Sequence, residues 1–127
     1  MADLRTPLTR ARGLGSAKEG THHWMAQRIS AIALVGLTIW FAYALIRLAG
    51  ADYVQTLAFL SSPIQSTLLI LTVGAGFWHA ALGLQVVIED YVHDEGVKLA
   101  LVFAVKLGAA ALSVLATVCI LKVAFGA

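Results

Sequence analysis

The chain predicts an all-α membrane protein of three transmembrane helices, and three observations lead there. Of its 127 residues, 60% are hydrophobic and 13% charged, and a mean hydropathy of +0.85 leaves too little polar surface for a soluble globular domain of this size. Three apolar segments, approximately Ile29 to Leu48, Ile64 to Ile88 and Val97 to Phe125, each reach the roughly 20 helical residues that cross a hydrocarbon core about 30 Å thick. Water is absent there, so every backbone N–H and C=O must be bonded within its own segment, which makes the segments helices.

The elements follow in order. Residues 1–27 read as a polar, flexible, basic arm: Arg5, Arg10, Arg12 and Lys18 lie in it, and Gly13, Gly15, Ser16 and Gly20 oppose helix formation. The arm shows no apolar core with a small-residue cleavage site, as a secretory signal requires, and Asp3 and Glu19 weaken a mitochondrial transit reading, so it is expected to be retained. Residues 28–127 then form one three-helix anchor domain. Pro63, after Ser61 and Ser62, suits the first turn of the second helix, where a missing N–H costs nothing. The segment from Ala49 to Ser62 reads as a loop with one charge, Asp52, whereas the basic residues precede the first helix. The positive-inside rule therefore places the N-terminus and the turn from Glu89 to Gly96 in the cytoplasm, or in a mitochondrial matrix, and the C-terminus on the far side. That turn is acidic, with Glu89, Asp90, Asp94 and Glu95, which opposes the orientation only mildly because acids weigh little in the rule. Trp40 and Tyr43 mark the outer interface and Trp24 the inner one.

Charge and cysteine usage exclude other classes. The net charge of +2 comes mostly from the arm and bears on orientation; no run of one sign is long enough for a nucleic-acid surface. Cys119 is the single cysteine, so neither an intrachain disulfide nor a cysteine-based metal site can form within the chain, and it reads as a small packing residue.

His79 lies near the middle of the second span, where an ionisable side chain is costly without a partner and is a functional candidate by default. A metal is the natural partner of a lone imidazole in a helical bundle, most commonly haem iron; the plain alternative is a hydrogen bond to a neighbouring carbonyl. Ala75, Gly76 and Gly83 border it at helical spacings of three and four, leaving room for a neighbouring helix or a flat macrocycle. Eleven residues is about three turns, so Asp90 projects from nearly the face of His79, about 16 Å nearer the cytoplasm, with Tyr91 about a third of a turn away. His22, His23 and Arg28 crowd the cytoplasmic end of the first helix, where cations could meet haem propionates or lipid phosphates, although an arginine in the place of Arg28, taken alone, is most often a snorkelling or positive-inside residue. Lys106, inside the third span, snorkels or faces a partner subunit; Trp78 packs against a helix or lipid; His93 is solvated.

His22-x5-Arg28-x-Ser30-x-Ile32 opening the first helix, His79-Ala80-x2-Gly83 within the second, and Asp90-Tyr91 closing it resemble the small cytochrome b anchor subunit of succinate dehydrogenase, the SdhD type of respiratory complex II. The resemblance runs from about Thr21 to Val123. It implies that His79 supplies one axial ligand of haem b, the metal-binding role in this chain, and that a histidine of an SdhC-type cytochrome b subunit supplies the other within a joint haem-binding bundle. It places His22 and Arg28 near the haem propionates, and it gives Tyr91, with Asp90 beside it, to a ubiquinone reduction site fed by an iron-sulfur subunit and a flavoprotein subunit. The chain would then be a non-flavin subunit of an enzyme that moves electrons from succinate to ubiquinone in a bacterial inner membrane or, alternatively, a mitochondrial one. Lipid and protein subunits are the implied partners, with no nucleic acid. The competing reading is a structural or assembly subunit without haem, in which His79 is a packing hydrogen-bonder.

Overall fold

The computed structural model describes residues 18–126, and within them four helices follow one another: α1 (Lys18–Leu48), α2 (Tyr53–Ser61), α3 (Pro63–Tyr91) and α4 (Glu95–Ala124). Three are 31, 29 and 30 residues long, and these three are long and apolar enough to cross a membrane. The all-helical architecture with three apolar spans is therefore the one read from the composition. Arg5, Arg10 and Arg12 lie outside the described residues.

Two boundaries differ from expectation. α1 begins at Lys18, so residues 18–27, expected to belong to a flexible arm, are helical. Adding a residue to an existing helix needs no new nucleus, so the apolar span propagates outward through Gly20, whose interior helix penalty is only about 1 kcal/mol. The expected loop from Ala49 to Ser62 holds a fourth helix, α2. Gly50 takes φ 83° after α1, a left-handed conformation that glycine adopts without steric cost. Asp52 then accepts a 2.8 Å hydrogen bond from the Gln55 N–H, an N-cap that starts α2. The Asp52-Tyr53 pair is thus a helix start.

α3 is the central element, packed along α1 on one side and α4 on the other, while the short α2 folds against α3 and α4. Ser62 in extended conformation and Pro63 at N1 separate α2 from α3. The turn between α3 and α4 spans only 92–94, and Asp94 caps α4 through a 2.8 Å bond from the Val97 N–H. Lys98 pairs with Glu95 at 2.9 Å on the first turn of α4. At the other end of the bundle, Trp40 Nε1 of α1 donates to Gln65 Oε1 of α3 at 3.0 Å.

Among the described residues only Ala44, Ala81 and Leu82 are buried apolar side chains, with Ser30 and Ser66 the buried polar ones. A chain so apolar with so small an interior directs most of its hydrophobic surface outward, as a helix bundle does when lipid or another membrane subunit surrounds it.

Candidate functional site

His79 lies on α3, 12 residues before the helix ends at Tyr91, which is about 18 Å inside. Its Nδ1 is 2.9 Å from Oγ of Ser30 on α1. Ser30 is 8% exposed, and its Oγ also lies 3.0 Å from the Gln27 carbonyl oxygen one turn earlier. The close approach of α1 has a local cause at Gly83. A Cβ at that position would lie 3.6 Å from Gln27 Nε2, so the bare helix surface lets α1 come near. The two antiparallel pairs, Gln27 with Gly83 and Ser30 with His79, set the register between the helices. Gly76, by contrast, faces open space. The two glycines beside His79 therefore have different roles: one admits a helix, the other leaves a side free.

His79 also faces a groove along α1. His79 lines an open cavity of about 380 Å³ together with Ala31, Leu34, Val35, Thr38 and Ile39 of α1. His79 Nε2 makes no hydrogen bond among the described residues and is not enclosed. An unbonded imidazole nitrogen beside an apolar groove with aliphatic walls fits what a haem iron and the edge of its macrocycle require from one side. Among the described residues there is no group of three or more His, Cys, Asp or Glu able to hold a metal ion, so His79 is not part of such a cluster there.

The other candidates are placed as follows. Arg28 is exposed, with its guanidinium 4.8 Å from the Trp24 ring centroid. It precedes Ala31 and Val35 at spacings of three and seven, on the same stripe of α1 and one turn beyond the groove. His22 is exposed and about a third of a turn round α1 from Arg28, off that stripe. Asp90 and Tyr91 both lie at the exposed end of α3, and Tyr91 is 78% exposed. Because α3 is one unbroken helix, Asp90 keeps the three-turn register with His79 read from the sequence, without touching it.

A family model described as succinate dehydrogenase/fumarate reductase transmembrane subunit matches residues 2–121. The chain belongs to that family. Among similar proteins, the succinate dehydrogenase hydrophobic membrane anchor subunit of Rickettsia bellii is 40% identical over 105 residues, covering 83% of this chain and 84% of that one. The protein of the same name from Paracoccus denitrificans is 38% identical over 103 residues, 81% of this chain and 80% of its own. A succinate dehydrogenase membrane anchor subunit of Reclinomonas americana is 28% identical over 92 residues, 70% of this chain and 77% of that one. No solved structure matches. Membership of the succinate dehydrogenase/fumarate reductase transmembrane subunit family accounts for the three spans and for the outward apolar surface.

Two features of this family member were not assigned from sequence. Ser30 appeared only as a letter in a motif, and its contact with His79 depends on how two antiparallel helices register; the one available signal was an isolated hydroxyl in an apolar run two residues after Arg28. A second groove, of about 470 Å³, opens between α3 and α4 and is lined by His23, Trp78, Gln85 and Lys106 among others. His23 Nε2 and Gln85 Oε1 are enclosed there without hydrogen-bond partners, while Gln85 Nε2 donates to Glu89 at 2.6 Å. The structure thus separates the doubled histidines: His22 is exposed, and His23 turns inward to a groove on the far side of α3 from His79.

Proposed function

We propose that this chain is the membrane anchor subunit of a succinate:quinone oxidoreductase, holding haem b jointly with a partner cytochrome b subunit and contributing to the ubiquinone reduction site. The observation that carries the reading is His79: an imidazole deep in a span, bonded through Nδ1 to Ser30 and unbonded at Nε2 beside an open apolar groove. A packing histidine needs its nitrogens satisfied, and this one has a nitrogen left over. The names of the relatives, all succinate dehydrogenase membrane anchor subunits, agree with it.

In this reading His79 Nε2 would hold the iron of haem b together with a histidine of the partner subunit. When bound there, the group would supply one-electron storage. Arg28, on the groove's stripe of α1, would meet a propionate, and His22, exposed but off that stripe, is the second cation assigned to one. Tyr91 donates its phenolic hydrogen to a ubiquinone carbonyl oxygen and stabilises the negative charge that develops on reduction, without itself ionising at neutral pH. Asp90 orders that site or passes protons to it. Reduction of a quinone needs two electrons and two protons in one place, so the site belongs at the exposed end of α3, where protons arrive, and not beside His79. Electrons come from succinate through the flavoprotein and iron-sulfur subunits. The basic arm, residues 1–27 in the sequence reading, lies on the cytoplasmic face of a bacterial inner membrane or on the matrix face of a mitochondrial one.

The test is to extract the native complex in mild detergent, record its reduced-minus-oxidised spectrum and identify the copurifying chains. A flavoprotein, an iron-sulfur protein and b-type haem are expected together. Copurification with soluble partners but without haem would favour the structural or assembly subunit instead.

A further inference from the structure

We infer that Ser30 is a positioning residue for His79: its hydroxyl, by donating to the Gln27 carbonyl, compels the imidazole to carry its proton on Nδ1 and so frees the Nε2 lone pair for a metal. The inference rests on the haem reading above and adds to it a residue of α1 that acts through His79.

The argument is one of proton counting. A serine hydroxyl has one hydrogen to donate and two lone pairs to accept with, and a backbone carbonyl can only accept. Ser30 Oγ has two partners within reach, the Gln27 carbonyl oxygen at 3.0 Å and His79 Nδ1 at 2.9 Å. With both bonds made, the single hydroxyl hydrogen goes to the carbonyl, and the bond to His79 must use a hydrogen from the ring. A neutral imidazole that donates from Nδ1 has its free lone pair on Nε2. That is the nitrogen without a partner, on the residue that lines the open groove.

Three features make the arrangement rigid. Ser30 is buried, so water does not compete for its hydroxyl. The Gln27 carbonyl lies one helical turn before it on the same helix, so the acceptor moves with Ser30. Gly83 holds α1 close at the next turn of α3. A ligating imidazole that donates its second N–H is a stronger electron donor and is fixed in ring orientation. The hydroxyl therefore has two measurable consequences: it stabilises the oxidised iron, lowering the midpoint potential, and it tightens haem binding.

The experiment compares Ser30→Thr with Ser30→Val in the complete complex, since the two side chains have one shape and differ in the hydroxyl alone. Haem content, haem dissociation and midpoint potential by redox titration are read for both, with Ser30→Ala and His79→Ala alongside. Ser30→Thr is expected to match the wild type, and Ser30→Val to show a potential moved upward and haem affinity lowered by about 10- to 100-fold; complete loss of haem from Ser30→Val alone supports the inference in its strongest form. Equal behaviour of Ser30→Thr and Ser30→Val, whether both normal or both impaired, overturns it, because the hydroxyl then does nothing that shape does not. His79→Ala keeps the two levels apart: a haem spectrum unchanged in that variant defeats the ligand reading itself, whereas an altered one with equal Thr and Val variants defeats only the role of Ser30.

Discussion

The middle of α3 and its C-terminal end differ in how complete each is within one chain. At half-buried His79 one ring nitrogen is already paired across two helices with the buried Ser30 hydroxyl, and a glycine contact holds the pair in register. At Asp90 and Tyr91 both side chains stand exposed at a helix terminus, with no interhelical bond. The difference follows from the solvent each region meets. Deep in a span an unpaired polar group costs several kcal/mol, so its partner must come from the folded chain or from a bound group or subunit. At the interface water satisfies a carboxylate or phenol until another molecule displaces it. On the proposed function, the deep region is preorganised by this chain for a ligand on one side, while the end of α3 would become a site only when other subunits close over it.

Single substitutions in each region test their independence most directly. Replacing His79 with Ala removes the only deep imidazole and should abolish the low-spin bis-histidine haem spectrum, the largest effect expected in this chain; reduced-minus-oxidised spectroscopy of the purified complex reads it. Replacing Tyr91 with Phe should leave that spectrum intact and slow quinone reduction by about 10- to 100-fold, the range for loss of one hydrogen bond to a developing charge. Steady-state kinetics with a soluble ubiquinone, against succinate oxidation by an artificial acceptor, separate the quinone step from the rest. If Tyr91→Phe altered the haem spectrum as much as the quinone kinetics, the two regions would not be the independent sites described here.

How much of this was legible in the sequence divides along the same line. Span number, the depth of His79 and its register with Asp90 follow from hydropathy and helical periodicity, which are properties of single segments, whereas the roles expected of His79, Asp90 and Tyr91 came from the family resemblance. α2 was missed although its signal was present: Asp52 before an apolar run is an N-cap pattern, but nine residues are too few to register as a span. The early start of α1 was missed because glycine was weighed as a breaker where cooperativity with a long apolar helix outweighs it. Ser30 was beyond reach for a different reason. Its bond to His79 joins residues 49 apart, and only the packing of α1 on α3 decides which of the hydroxyls in the spans meets which imidazole.

Gly83 gives a graded test of that packing. An added Cβ would sit 3.6 Å from Gln27 Nε2, an ordinary contact, so Gly83→Ala should change thermal stability little. The further carbons of Gly83→Leu must displace Gln27 and push α1 outward, at about 1–3 kcal/mol for an overpacked contact. That variant should disturb the haem spectrum by withdrawing Ser30 from His79 while leaving Tyr91 exposed as before. A normal spectrum in Gly83→Leu would show that the α1–α3 distance does not govern His79.

The smallest effect belongs to the turn that joins α3 to α4. Asp94 Oδ1 accepts from the Val97 N–H at 2.8 Å, and loss of such a cap costs about 1 kcal/mol. Asp94 lies three residues beyond Tyr91, so Asp94→Ala tests whether the exposed end of α3 depends on the local order of the turn or on what covers it. Because α3 already ends at Tyr91, with the Val92 N–H bonded to the Ile88 carbonyl at 3.0 Å, the cap on α4 does not hold Tyr91 in place. Asp94→Ala should therefore lower the melting temperature of the complex slightly and leave quinone kinetics unchanged. A fall in quinone reduction comparable to that of Tyr91→Phe would mean that the turn itself forms part of the site, and that the end of α3 is more completely built by this chain than its exposure implies.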